Sequence, residues 1–154
     1  MAQEVLLIEA DPALGRLMRQ VIQETIPDFS TQVAADSTEA LDYLFCTGAF
    51  THREPELPAL ILLDLDLPYT NGLILLQLIK SYVRLQAVPV VMLAELADNR
   101  AISRGYERGA NGCVIKTTDR RQFIANLALA ANYWLKVNRA VPRNRDNQPA
   151  NNAG

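Results

Sequence analysis

Five short aliphatic runs, each followed by a stretch with helical apolar spacing, set the limits on what this chain can become. The runs are EVLLI (4–8), TQVAA (31–35), ALILLD (59–64), PVVML (89–93) and GCVI (112–115). A continuous apolar run of about four to eight residues between turn residues is the mark of a strand buried on both faces. Asp11-Pro12 reads as an N-cap with proline at the first helical position, and Leu14, Leu17, Met18, Val21, Ile22 and Ile26 then recur at helical spacing up to Pro27. Asp36 and Glu39 make a capping-box-like start to a second helix carrying Ala40, Leu41, Leu44 and Phe45. Helices are also predicted over 72–83, over 97–108, closed by Gly109, and over 119–137, while TGAFTHREPELP (47–58) is predicted to be a loop. Such alternation implies right-handed crossovers and a doubly wound parallel sheet.

Five parallel strands suit the flavodoxin-like α/β order 2-1-3-4-5, whose switch point between strands 1 and 3 brings Asp11 beside Asp64. Asp64 ends the third run, and Pro68, Asn71 and Gly72 supply the turn that follows it. Two carboxylates at adjacent strand ends, with a turn carbonyl such as that of Asp66, form a hard oxygen site of the kind Mg²⁺ accepts while keeping several waters. Lys116, at the end of the fifth run, lies across the same edge. An anion between a metal and that ammonium would be neutralised from two sides, as phosphoryl transfer onto a carboxylate requires. Taken singly, each residue also has a plain reading: strand-end Asp residues cap the next helix, and a lone lysine is often solvated. Their joint placement on one edge favours the site.

The chain has 154 residues, the size of one ordinary domain, predicted over 1–137. The segment 138–154, rich in Asn and poor in apolar residues, is expected to be a disordered or loosely packed tail. Formal net charge is −2 with acids and bases interspersed, which argues against a nucleic-acid footprint or a basic membrane surface. No run approaches the ~18 apolar residues that span a bilayer, and MAQE leads straight into a strand, so a cytoplasmic location is expected. Cys46 and Cys113 form no CxxC, and His52 has no second ligand near it in sequence, so neither a zinc site nor a disulfide framework is indicated.

LLIEADPALGRLM, LILLDLDLPYTNGLILLQLIK, VPVVMLAE and GANGCVIK resemble the successive blocks of a response-regulator receiver domain, over about residues 4–136. The intervals agree: Asp64 to Ala94 is 30 residues and Ala94 to Lys116 is 22. The loop before the third strand and the ending ANYWLKVNRAVP further resemble the single-domain receivers associated with phytochrome kinases. The resemblance implies that Asp64 is the phosphoacceptor, that Asp11 and Asp64 with the Asp66 carbonyl hold Mg²⁺, and that Lys116 binds phosphate. It also implies a sensor histidine kinase as partner, possession of no enzymatic activity beyond self-catalysed phosphotransfer and dephosphorylation, and output through protein docking, with no DNA-binding domain expected after residue 137.

The chain departs from that family at several positions. Receivers carry an acidic pair after the first strand, aligned here with Ala10 and Asp11, so one carboxylate is missing and weak Mg²⁺ binding is expected. Glu9 is either a substitute for it or an ordinary occupant of a position that often holds Glu. Ala94 stands where a hydroxyl would bond the phosphoryl group, Glu95 where a small residue controls access, Cys113 where a switch aromatic is usual, and Thr117 where a cis-proline is usual. Three of these lie on the relay from phosphate to surface. Regulated phosphoacceptance therefore stands beside a second function, that of a pseudo-receiver acting as a phosphorylation-independent interaction module. An enzyme or flavin carrier on the same fold finds no glycine-rich phosphate loop in the first βα turn. Phe123, Ile124, Leu127, Ala128, Ala131, Trp134 and Leu135 make an apolar band wider than one core stripe. A homodimer through the face of helix 4, strand 5 and helix 5 is expected, against the plain alternative that Trp134 plugs the end of the core.

Overall fold

The computed structural model describes residues 3–142. Five parallel strands, β1 (Glu4–Ile8), β2 (Ser30–Ala34), β3 (Leu60–Asp64), β4 (Val90–Ala94) and β5 (Gly112–Ile115), form one sheet in the order 2-1-3-4-5, as the alternating pattern requires. The interleaved helices are α1 (Pro12–Thr25), α2 (Ser37–Phe45), α3 (Gly72–Ser81), α4 (Asn99–Glu107) and α5 (Arg120–Asn132). Every residue of β3 and β4 is buried, which is why those strands read as unbroken apolar runs. One layer of core lies under α1 and α5, around Met18, Ile22, Leu62, Leu93, Phe123 and Leu127. The other lies under α2, α3 and α4, around Ile8, Leu44, Ile61, Leu76, Ile79 and Met92.

The helix starts follow the sequence closely. Asp11, Asp36, Asn71, Asp98 and Asp119 each accept a first-turn N–H through the side chain, so each of the helices α1 to α5 is capped. The capping box of α2 is displaced by one residue: Glu39 N–H donates to Asp36 Oδ1 at 2.8 Å, while Glu39 Oε2 accepts from Ala35 N–H, not from the cap's own amide, at 3.0 Å.

The boundaries move where tertiary contacts decide them. The helix predicted over 72–83 stops at Ser81 and is followed by a 3₁₀ turn over Val83–Leu85. Lys80 closes that end by donating to the carbonyls of Gln86 and Val88 at 3.2 and 2.8 Å and to Asn111 Oδ1 at 3.0 Å. The helix predicted over 119–137 is regular only through Asn132 and continues as a π-helical turn over Tyr133–Val137. The predicted loop 47–58 contains a 3₁₀ turn over Gly48–Phe50 and is tied down by Arg53. The Arg53 guanidinium lies 3.8 Å over the Tyr43 ring and donates to the Tyr43 and Glu56 carbonyls and to Glu4 Oε2. Of the expected tail, Asn138–Pro142 carry no helix or strand, and the remainder lies outside the described residues.

The apolar band of the last helix is largely consumed by the core. Phe123, Leu127 and Ala131 are buried, and Trp134 is half-buried over β5, where a Cβ on Gly112 would stand 3.2 Å from its ring. Leu129, Tyr133 and Val137 are the large apolar residues of that helical stretch left exposed.

Candidate functional site

The register of the sheet puts two acids side by side. Ile8 of β1 pairs with Leu63 of β3, so the next residues, Glu9 and Asp64, stand level at the carboxyl edge where β1 and β3 diverge in connection. The ladder carries Glu9 with it, since its N–H still donates to Ala34 O at 2.9 Å. Lys116 follows β5 directly and is held by its own N–H, which donates to Ala94 O at 2.8 Å. Together these residues line an open cleft of about 480 Å³ that also includes Ala10, Asp11, Asp66 and Glu95.

Asp64 is 2% exposed. Its Oδ1 accepts the Asp66 N–H at 3.0 Å and its Oδ2 accepts Lys116 Nζ at 2.5 Å. Lys116 also lies 3.6 Å from Glu9 Oε2. Burial works against the ammonium, yet the hydrogen bond and charge of Asp64, followed by Glu9 and Glu95, outweigh it and hold Lys116 above the ordinary lysine range. Glu9, 3% exposed, is pushed up to about 8: burial is the main cause, the adjoining Asp64 carboxyl adds to it, and Lys116 and the Asp11 N–H oppose it. The Glu9 Oε1 accepts the Asp11 N–H at 3.2 Å, and its Oε2 has no hydrogen-bond partner.

The structure brings together Asp64, Lys116 and Glu9 and leaves Asp11 at the mouth. Asp11 is exposed, and its Oδ1 accepts the N–H groups of Ala13 and Leu14 at 2.9 and 3.4 Å, so this carboxylate caps α1. Asp66 is exposed as well, two residues beyond Asp64. Glu9 is the member that sequence reasoning left open between two roles. The available signal was the one that singled out Asp64: an acid that directly ends a strand buried on both faces.

Ala94 is the last residue of β4 and 4% exposed, and its side chain is a methyl group with no hydroxyl to offer. Glu95 is exposed and lines both this cleft and a second hollow of about 350 Å³ on the other side of Asp64, bordered by Asn71, Ala94 and Asp98. Cys113, half-buried against the core under α2, α3 and α4, pairs with Met92, and burial pushes its thiol up. Thr117 donates its N–H to Ile115 O at 3.0 Å, a bond that proline could not make, and no cis peptide occurs among the described residues. Cys46 and Cys113 are free thiols, as expected from their spacing.

Among the described residues no group of three or more His, Cys, Asp or Glu is arranged to enclose a metal. The donors present are oxygens: the Glu9 and Asp64 carboxylates, the exposed Asp11 and the Asp66 main chain. A sparse oxygen set with one buried carboxylate oxygen lacking a partner fits a hard ion that retains much of its water. Among the described residues no helix is long and apolar enough to cross a membrane.

The chain matches the response regulator receiver domain family over residues 5–128, and it belongs to that family. Among its relatives is the response regulator Rcp1 of Synechocystis sp. (strain PCC 6803), 28% identical over 133 residues that span 86% of this chain and 89% of Rcp1. Response regulator Rre1 of the same organism is 29% identical over 115 residues, 75% of this chain and 46% of Rre1, so the chain spans about half the length of that relative. Among solved structures, the phosphorylated cyanobacterial phytochrome response regulator RcpA superposes with a TM-score of 0.83 at 26% identity, covering 92% of this chain and all of RcpA. Receiver domains belong to two-component signalling, where they interact with histidine kinases. Their role is signal reception, distinct from that of a conventional enzyme.

Proposed function

We propose that this receiver accepts a phosphoryl group from a sensor histidine kinase on Asp64 and signals by docking to a protein. The observation that carries the proposal is the Lys116–Asp64 contact at 2.5 Å in the cleft at the switch point of the sheet. In the transfer, the phosphorus–nitrogen bond of a phosphohistidine breaks, a phosphorus–oxygen bond to Asp64 forms, and the electron pair stays on the imidazole nitrogen. Lys116 moves its hydrogen bond from the carboxylate to the incoming phosphoryl oxygen and so neutralises charge on both sides of the step. Mg²⁺, held through Asp64, the Asp66 carbonyl and acids of the turn that includes Asp11, would supply charge neutralisation of the phosphoryl oxygens. The likeness to Rcp1 and RcpA makes a phytochrome the first kinase to try.

The test is phosphotransfer from such a kinase, or from acetyl phosphate with Mg²⁺, followed by intact mass. Wild type should gain one phosphoryl group and Asp64→Asn none. Label retained by the Asn variant would sink the assignment.

The second function is favoured by a separate set of residues. Ala10 offers no carboxylate, Ala94 no hydroxyl and Cys113 no aromatic ring, which are the changes expected of a pseudo-receiver that docks without regulated phosphorylation. Both functions share a homodimer through α4, β5 and α5, where the exposed Leu129, Tyr133 and Val137 supply apolar contact. Sedimentation with and without acetyl phosphate should show a dimer in both conditions. A monomer at tens of micromolar, or a dimer seen only after phosphorylation, would refute this interface.

A further inference from the structure

We propose that Tyr69 and Leu96 are the two apolar anchors by which the rim of the cleft grips the phosphohistidine-bearing kinase. The inference rests on the proposed function in taking a kinase as the phosphodonor, and it names where that donor docks. Asp64 is buried in the cleft, so a phosphohistidine reaches it only when the donor's surface closes on the loops around the mouth. Two of those loops, residues 65–71 after β3 and 95–98 after β4, supply Asp66, Asn71, Glu95 and Asp98 to the hollows on either side of Asp64. Between these lining residues stand Tyr69, fully exposed, and Leu96, largely exposed. Among the described residues, neither α1 nor the loop after β5 exposes a large apolar side chain in this way.

The backbone singles out Tyr69 a second time. Its φ is 65°, in the left-handed region that a bulky side chain rarely enters, and Thr70 N–H donates to Pro68 O at 2.7 Å to close a three-residue turn about it. Being fully exposed, the residue gains no burial from its own chain to offset that strain. Electrostatics also call for apolar contact. The two hollows are lined by Glu9, Asp11, Asp64, Asp66, Glu95 and Asp98, against a single cation among the described residues, Lys116, whose short bond is already made to Asp64. A phosphohistidine approaching this rim meets like charge, which opposes docking. Apolar area buried beside the phosphoryl group must then supply the affinity, and a tyrosine ring, with few torsions to freeze, is the side chain best suited to it.

An autophosphorylated phytochrome histidine kinase is the probe, and acetyl phosphate, which has no surface to dock, is the reference donor for the full chain. Tyr69→Asn removes the ring while asparagine keeps the left-handed backbone at little strain, and Leu96→Ser removes the aliphatic branch. In each variant kcat/KM for the kinase should fall roughly 5- to 30-fold relative to the acetyl phosphate reaction, the range for truncating an interface anchor, with the loss carried by KM. Tyr69→Phe, which keeps the ring, should stay within about twofold of wild type. Kinase transfer to Tyr69→Asn and Leu96→Ser within about twofold of wild type overturns the assignment. A fall of both reactions together in Tyr69→Asn also overturns it for Tyr69, because the turn and not the ring would then be what matters. Wild type labelled by acetyl phosphate but not by the kinase overturns the inference together with the kinase part of the proposed function, an outcome distinguishable from the other two.

Discussion

Gly72 is the position where the fold and the site are most tightly joined. It is the first residue of α3, and a Cβ placed on it would stand 2.6 Å from the carbonyl oxygen of Asp64 and 2.6 Å from Leu65 Cα. Both atoms are backbone, so no side chain can rotate to make room. The Gly72 N–H also donates to Leu65 O at 3.2 Å, which closes the loop that leaves Asp64. Gly72→Ala must therefore push α3 away from the end of β3 or distort the turn carrying Asp66. Overpacking of this kind costs about 1–3 kcal/mol, and the better helix propensity of alanine recovers at most about 1 kcal/mol. A net loss of roughly 1–2 kcal/mol lowers Tm by roughly 2–8 °C in a domain of this size. Thermal unfolding by circular dichroism measures it. The rate of phosphorylation of Asp64 by acetyl phosphate should fall in the same variant, because the turn that bonds the carboxylate has shifted. An unchanged or raised Tm would show that the contact between α3 and β3 relaxes freely, and would refute the claim that glycine is required by close approach.

Arg53→Met keeps apolar bulk over Tyr43 but removes the donor to Glu4 and to the Tyr43 and Glu56 carbonyls; a loss of about 1–3 kcal/mol in urea unfolding is expected, together with faster proteolytic cleavage within 47–58, and an unchanged midpoint would argue against the clasp. Lys80→Met strips the donor from Gln86 O, Val88 O and Asn111 Oδ1, and should cost about 1–3 kcal/mol, whereas a surface lysine would give almost nothing. Because burial pushes the Cys113 thiol up, less thiolate is present at a given pH, so alkylation at pH 8 in a Cys46→Ser background should be far slower than in the urea-unfolded chain. Equal rates would reopen a redox role.

Much of the fold was legible because parallel strands covered on both faces have no polar face to interrupt them. The strand order followed from the alternation, and the starts of α1 and α2 from their capping residues Asp11 and Asp36. What the local pattern could not supply came from contacts between distant segments. Lys80 meets Asn111 across 31 residues, and Arg53 meets Glu4 across 49, so the end of α3 and the path of the 47–58 loop were not written nearby. The wide apolar band of the last helix had a similar cause: Gly112 leaves room for Trp134 to lie on β5, so an apparent surplus becomes core. In the site, Asp64 and Lys116 could be read as strand-end residues on one edge. The burial of Glu9 and the exposure of Asp11 could not, since both acids flank the same turn and only the register of β1 separates them.

The consequence for signalling lies between β4, β5 and α4. A phosphoryl group shifts a population only to the extent that it interacts differently with two states. At the end of β4 the methyl of Ala94 cannot form a charge-assisted hydrogen bond, so that source of difference, on the order of 1.5–3 kcal/mol, is absent. Further along, α4 is seated very closely on β4: a Cβ on Gly105 would fall 1.9 Å from Met92 Sδ, and Met92 is fully buried. Its neighbour across the strands is Cys113, a small side chain with no ring to swing between inner and outer positions. Well-packed interiors switch between discrete arrangements and do not deform smoothly, and here neither the hydroxyl that would pull α4 nor the aromatic that would report its movement is present. Glu95 is exposed and borders both hollows beside Asp64. Any large difference that phosphorylation makes to docking must then arise locally, from negative charge placed beside Glu95 and Lys116, and should fall with added salt as exposed electrostatic interactions do.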